Sequence, residues 1–221
     1  YAEALNHYGT LQHMRGDDRA ALDTHARALE LLRESHGPEH PSVAWTYNHI
    51  AVAHDSLAEY PLALEALQAA RTILASAEGR EHAKLGSILL NIGTLEHQLG
   101  RDDEALVDLH EAARIVTKEF GEHHSTQGFI HNSMGEVYFG RGDHEAALRE
   151  FRSAQGIWAA SVGADNQIVA LALGNVGKAL HAAAKTPEQL GEALAIQREA
   201  LAAREAALGN DHAELAEHLL W

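Results

Sequence analysis

The chain has 221 residues, 46% of them hydrophobic, which suffices for one globular domain or one repeat array with a continuous core. Its formal charge of −15, from 32 acidic against 17 basic side chains, repels nucleic-acid phosphates and anionic lipid headgroups, so the expected partner is a neutral or basic polypeptide and neither nucleic acid nor membrane. The absence of cysteine excludes a disulfide framework, a thiolate metal site and a thiol nucleophile, and no apolar run approaches the roughly 18 residues of a membrane span. These features suggest the cytoplasm, and a start at Tyr1 rather than Met suggests a piece of a longer chain.

An internal period of 42 residues organises the chain. Gly37, Gly79, Gly121, Gly163 and Gly209 are spaced by 42, 42, 42 and 46 residues, and two further columns keep the period: Gly9, Ala51, Gly93, Gly135 and Gly177, then Gly16, Ala58, Gly100, Gly142 and Ala184. The first unit, residues 1–41, begins with a helix carrying Leu5-Asn6. In the second, 42–82, the apolar spacing predicts a first helix from Ser42 to Leu57, a short turn at Ala58-Glu59 and a second helix from Tyr60 to Glu78, with Pro61 in its first turn. The third, 83–124, carries Leu89-Leu90-Asn91; the fourth, 125–166, carries Met134 and Tyr138. The fifth, 167–212, holds the four-residue insertion around Lys185-Thr186-Pro187, where Thr186 and Gln189 have capping-box spacing. Residues 213–221 restart a first helix, as a truncated sixth unit or as a cap covered by Trp221.

Two alanine columns, Ala21, Ala63, Ala105, Ala147 and Ala193, then Ala28, Ala70, Ala112, Ala154 and Ala200, would let paired helices approach closely, and the Gly37 column would supply a left-handed residue after each second helix. The expected architecture is one all-α array of antiparallel helix pairs over residues 1–221. With small residues at the Gly9, Ala21 and Ala28 columns and large ones at Tyr8, Ile50, Ile92, Met134 and Val176, the chain resembles the tetratricopeptide repeat family. The 42-residue length and the linkers Gly37-Pro38-Glu39-His40-Pro41, Gly79-Arg80-Glu81-His82 and Gly209-Asn210-Asp211-His212 look like its kinesin light chain subtype, including bacterial arrays. That resemblance implies a right-handed superhelical α-solenoid acting as a protein-binding scaffold. Against the family's usual length of about 34 residues, each helix would gain about one turn, ~6 Å.

Catalytic readings find little support. None of the 17 histidines forms an HExxH pair; His110-Glu111 lacks the second imidazole, and His123-His124 is a weak surface chelator, so no metal is expected. His40, His82, His124 and His212 fall in one linker column, where hydrogen bonding of the turn into the next helix is their expected task. Gly174-Asn175-Val176-Gly177-Lys178 resembles a phosphate loop only superficially, because Ala172 and Ala179 stand where glycine and a hydroxyl are needed. Asp17-Asp18 and Asp102-Asp103 precede second helices, where acids cap and complement the dipole. Neither an enzyme nor a cofactor is expected.

In such arrays the first helices line the concave face. Carried over by register, the family's groove positions fall on Glu3, Trp45, Ser87, Phe129 and Leu171; on Asn6, Asn48, Leu90, Asn132 and Gly174; on Thr10, Val52, Thr94, Glu136 and Lys178; and on His13, Asp55, His97, Phe139 and His181. An asparagine amide offers both donor and acceptor to a peptide backbone, a role open also to Asn91 and Asn175 one position later; the alternative is that these amides satisfy neighbouring helices or loops. Trp45, Phe129 and Phe139 would offer apolar pockets to partner side chains or, one register off, belong to the core. Only Lys178 matches the basic clamp of chaperone-tail receptors, whereas Glu3, Asp55 and Glu136 suit a partner with basic character. The leading expectation is a scaffold that binds a peptide or short helix. The alternatives are the sensor region of a larger bacterial signalling protein, a Ser/Thr kinase or signal-transduction ATPase, and an oligomerisation module.

Overall fold

The computed structural model describes residues 1–77, 83–164 and 166–208. The described residues form ten helices and no strand: α1 (Ala2–Met14), α2 (Asp18–His36), α3 (Pro41–Ser56), α4 (Tyr60–Ala77), α5 (Ala83–Gln98), α6 (Asp102–Phe120), α7 (Ser125–Gly140), α8 (His144–Val162), α9 (Gln167–Ala183) and α10 (Pro187–Leu208). They fall into two compact units divided within α6, Tyr1–Ile115 and Val116 onward. In the first unit α1 packs on α2, α2 on α3, α3 on α4 and α4 on α5; in the second α7 packs on α8, α8 on α9 and α9 on α10. The expected end of α4 at Glu78, the Gly79 and Gly209 linkers with His82 and His212, and residues 213–221 with Trp221 lie outside the described residues.

The small-residue columns explain this packing. All ten alanines of the two columns are buried, nine of them completely and Ala200 at 4% exposure, so second helices approach their neighbours at backbone distance. The glycine column works with them. A Cβ at Gly135 would stand 2.5 Å from the Phe151 ring of α8, which is itself wholly buried and has nowhere to move. Phe151 and Ala147 anchor a cluster with Val176 and Ala179 of α9, and Trp158 with Ala154 anchors a second with Val169 and Ala172.

The helix ends follow from local chemistry. His40 accepts a hydrogen bond from the Ser42 amide on Nδ1 at 3.2 Å and His124 accepts from the Thr126 amide at 3.3 Å, while Asn166, in the same column, accepts from the Ile168 amide at 3.0 Å. The linker histidine is therefore an N-cap, which requires Nδ1 unprotonated. Thr186 and Gln189 close the expected capping box: the Thr186 amide donates to Gln189 Oε1 at 3.2 Å and the Gln189 amide to Thr186 Oγ1 at 3.3 Å.

Three expectations are corrected. α3 begins one residue earlier than Ser42, because Pro41 fits the first turn, and it ends at Ser56. Gly37 and Gly163 have positive φ, 89° and 92°, but ψ of 160° and 149°, which is an extended conformation reserved for glycine rather than a left-handed helical one. Asp17 precedes α2 without a side-chain capping bond, and Asp18 and Asp102 instead pair with histidines across the turn, His13–Asp18 at 2.6 Å and His97–Asp102 at 2.7 Å; the His54–Glu59 pair at 2.7 Å does the same before α4. In the fourth repeat an acid does cap, Asp143 Oδ1 accepting from the Ala146 amide at 3.0 Å.

Candidate functional site

The expected site residues lie on the first helices of the pairs. In the first unit, Asn91 of α5 donates from Nδ2 to Asn48 Oδ1 of α3 at 2.9 Å. Asn6 of α1 is not joined to Asn48; it donates to Thr46 Oγ1 at 2.7 Å and its Oδ1 faces His25 Nδ1 of α2 at 3.0 Å. His25 is buried and stacks on His49 with ring centroids 5.2 Å apart. Burial first, then the charges of His49 and His13, pushes its pKa down to about 4, so it is neutral and donates to Asn6. Burial likewise lowers His49. Trp45 is half-buried on α3.

The second unit repeats the amide pair: Asn175 of α9 donates to Asn132 Oδ1 of α7 at 2.9 Å. On the same two helices Lys178 Nζ lies 3.2 Å from Glu136 Oε2 and 4.3 Å from the centroid of the half-buried Phe139 ring, so its charge is engaged by both a carboxylate and an aromatic face. Phe129 is 46% exposed, and Leu171, at the equivalent position of α9, is 39% exposed. Phe129 packs edge-on against Trp158, at 4.9 Å between centroids and 72° between planes. Trp158 is fixed in turn by its Nε1 donating to the Ser125 carbonyl at 3.0 Å and by Gly128, where a Cβ would strike the indole. Phe129 is thus an open aromatic surface on a rigid base.

The structure brings together Asn48 with Asn91, Asn132 with Asn175, and Glu136 with Lys178 and Phe139. Each bond leaves one half of each amide unused, Nδ2 of Asn48 and Asn132 and Oδ1 of Asn91 and Asn175, with Asn48 buried and the other three half-buried. Sequence reasoning treated the asparagines singly and missed their pairing. The signal was present, because Asn48 and Asn91, like Asn132 and Asn175, are 43 residues apart, one more than the repeat. Thr46 and His25, which hold Asn6, carried no such signal. Among the described residues no group of three or more His, Asp and Glu converges as a metal site, and no described helix is long and apolar enough to cross a membrane.

A tetratricopeptide repeat model matches residues 1–76 and 84–154, and a second tetratricopeptide repeat model matches 169–214. No curated protein matches the chain. Among solved structures, BtubC (BKLC) from P. vanneervenii is 22% identical, with a TM-score of 0.79 over 95% of this chain and 82% of that one. Kinesin light chain-like repeats of Podosopora anserina, described as nearly identical TPR-like repeats, are 16% identical, with a TM-score of 0.73 over 94% and 97%. The Rap conjugation gene regulator of the plasmid pLS20, solved in complex with the Phr* peptide, is 20% identical, with a TM-score of 0.74 over 96% of this chain and 55% of the regulator. At these identities the likeness is one of fold.

Proposed function

The chain belongs to the tetratricopeptide repeat family, an all-α solenoid fold of paired helices, and from that premise we propose that it binds an extended peptide or a short helix of a partner protein on its first helices. The observation that carries this reading is the arrangement on α7 and α9. The half-used amides of Asn132 and Asn175 follow, by about one turn on each helix, two apolar side chains left open at equivalent positions, Phe129 and Leu171. Amides of this kind bond a main chain whatever its sequence, and open apolar side chains select residues along it. Asn48, Asn91 and Trp45 provide the corresponding surface in the first unit, with Asn6 engaged by Thr46 and His25 instead. Because Lys178 is matched by Glu136, the face offers no free cation there, and Glu3 and Asp55 favour a partner with basic character. The role is binding rather than catalysis, in the cytoplasm. Replacing Phe129 and Leu171 together by Ser tests it: peptides selected on the intact chain should bind the variant at least about tenfold more weakly, with the helical signal unchanged, and equal binding contradicts the reading.

A second reading, that the chain is the sensor part of a larger signalling protein, is favoured by one observation. The Rap regulator, whose structure holds a Phr* peptide, matches nearly all of this chain with about half of its own length. In that case the bound peptide would act on the function of an attached domain.

A further inference from the structure

Glu96, near the C-terminal end of α5, is only 8% exposed, and its Oε2 has no hydrogen-bond partner among the described residues. It lines an open cleft of about 410 Å³ together with Asp103, Glu104, Val107 and Asp108 of α6. The repeat shows what is unusual here. Two periods earlier, the residues equivalent to Glu96 and Asp108 are Gln12 and Thr24, and these close on each other, Thr24 Oγ1 donating to Gln12 Oε1 at 2.7 Å. In the third repeat two carboxyl groups replace an amide and a hydroxyl, and Glu96 Oε2 is left buried and unpaired. The nearest compensation is incomplete: Arg71 of α4 reaches Asp108 at 3.2 and 3.3 Å, beyond the usual length of a charge-assisted bond of about 2.7–2.9 Å.

We propose that this cleft is a cation-binding site that takes the guanidinium or ammonium head of a partner's Arg or Lys side chain. An N–H donor seated in the cleft pairs with the Glu96 carboxylate, whose buried Oε2 the fold leaves unsatisfied, and the positive charge offsets the surrounding carboxylates. Val107, 68% exposed at the rim, gives the alkyl stem an apolar surface to lie on. A divalent ion is the poorer occupant, since the described carboxylates do not converge as a set of three ligands. Burial first, then the charges of Asp108 and Glu104 opposed by those of Arg71 and Arg101, pushes the Glu96 pKa up to about 7. Occupancy therefore requires expulsion of a proton near neutrality. None of the paired asparagines lines this cleft, and failure of the site leaves the peptide-binding reading standing.

The test is titration of the chain with N-acetyl-arginine amide and N-acetyl-lysine amide by NMR at pH 8 and pH 6, with calcium chloride as a third probe. The site predicts saturable shifts on α5 and α6 at pH 8 from at least one organic cation, weaker by several-fold at pH 6, where Glu96 is mostly protonated. Glu96→Gln removes the charge without the volume and should weaken binding roughly tenfold or more, whereas Glu34→Gln, on the exposed side of α2, should not. The pH comparison needs no variant, so a folding defect in E96Q leaves the test intact. No saturable shift from either organic cation, binding equal at the two pH values, E96Q binding like the unmodified chain, or a response to calcium alone would each overturn the proposal.

Discussion

Asn91 donates to Asn48 across adjacent first helices at 2.9 Å, joining two side chains that each belong to the expected binding face. The relationship gives the asparagines two tasks at once. One half of each amide ties helix to helix, and the other half is where the proposed peptide would bond.

Removing Asn48 and Asn132 together should therefore cost stability as well as binding. Each replacement by Ala deletes the acceptor of a bond and strands a partner amide, worth about 1 kcal/mol apiece, or a melting temperature lower by about 2 to 4 °C per kcal/mol for a chain of this size. Thermal melts of the single and double variants check this. A double-mutant cycle between Asn48 and Asn91 should show positive coupling, and additive losses would mean that the pair is not formed.

Gly135→Ala should destabilise the second unit by about 1 to 3 kcal/mol despite the better helix propensity of alanine, because the added methyl meets the immobile Phe151 ring at 2.5 Å. Denaturant unfolding measures the loss. Combining the change with Phe151→Leu, the residue type at the equivalent position Leu109, should recover part of it.

Ala58 adopts φ 55° in the turn before α4, where the equivalent Gly16, Gly100 and Gly142 have φ of 81°, 73° and 79°. A left-handed alanine costs about 1 to 2 kcal/mol, partly offset by the greater unfolded-state entropy of glycine. Ala58→Gly should consequently raise stability by roughly 0.5 to 1 kcal/mol, seen as a higher denaturant midpoint at unchanged slope.

His25 should make the chain acid-sensitive. Its pKa is about 4 in the folded state and 6.5 when free, so the unfolded chain binds more protons between those values and stability rises with pH across that window. The contribution of neutral His25 is complete above pH 6.5 and is lost as pH falls towards 4. Glu96 acts in the opposite sense, since its raised pKa of about 7 removes stability as pH rises from 4.5 through 7. Comparing melts of the unmodified chain and His25→Leu, the residue found at equivalent positions Leu67 and Leu109, isolates the histidine: the variant should lose less stability between pH 6.5 and 4.5.

What the sequence revealed and what it withheld divide along physical lines. The buried alanine columns, the Thr186–Gln189 capping box and the capping by His40 and His124 were legible, because each depends on backbone geometry repeated at a fixed offset. The His13–Asp18 and His97–Asp102 pairs were not, since they span a turn at a five-residue separation that no helical periodicity marks, and the acids were assigned to capping and to the helix dipole. Glu96 was also missed. Its significance comes from Asp108 on the next helix, which periodicity aligns but does not show to line the same cleft.

The most direct measurement of the binding reading is photo-crosslinking of a selected peptide to chains carrying benzoylphenylalanine at one position at a time. Position 129 on α7 and position 171 on α9 should label the peptide strongly, while exposed positions 152 on α8 and 198 on α10, on second helices, should not. Labelling from 152 and 198 with none from 129 and 171 would contradict the account, because the peptide would then lie on the second helices instead.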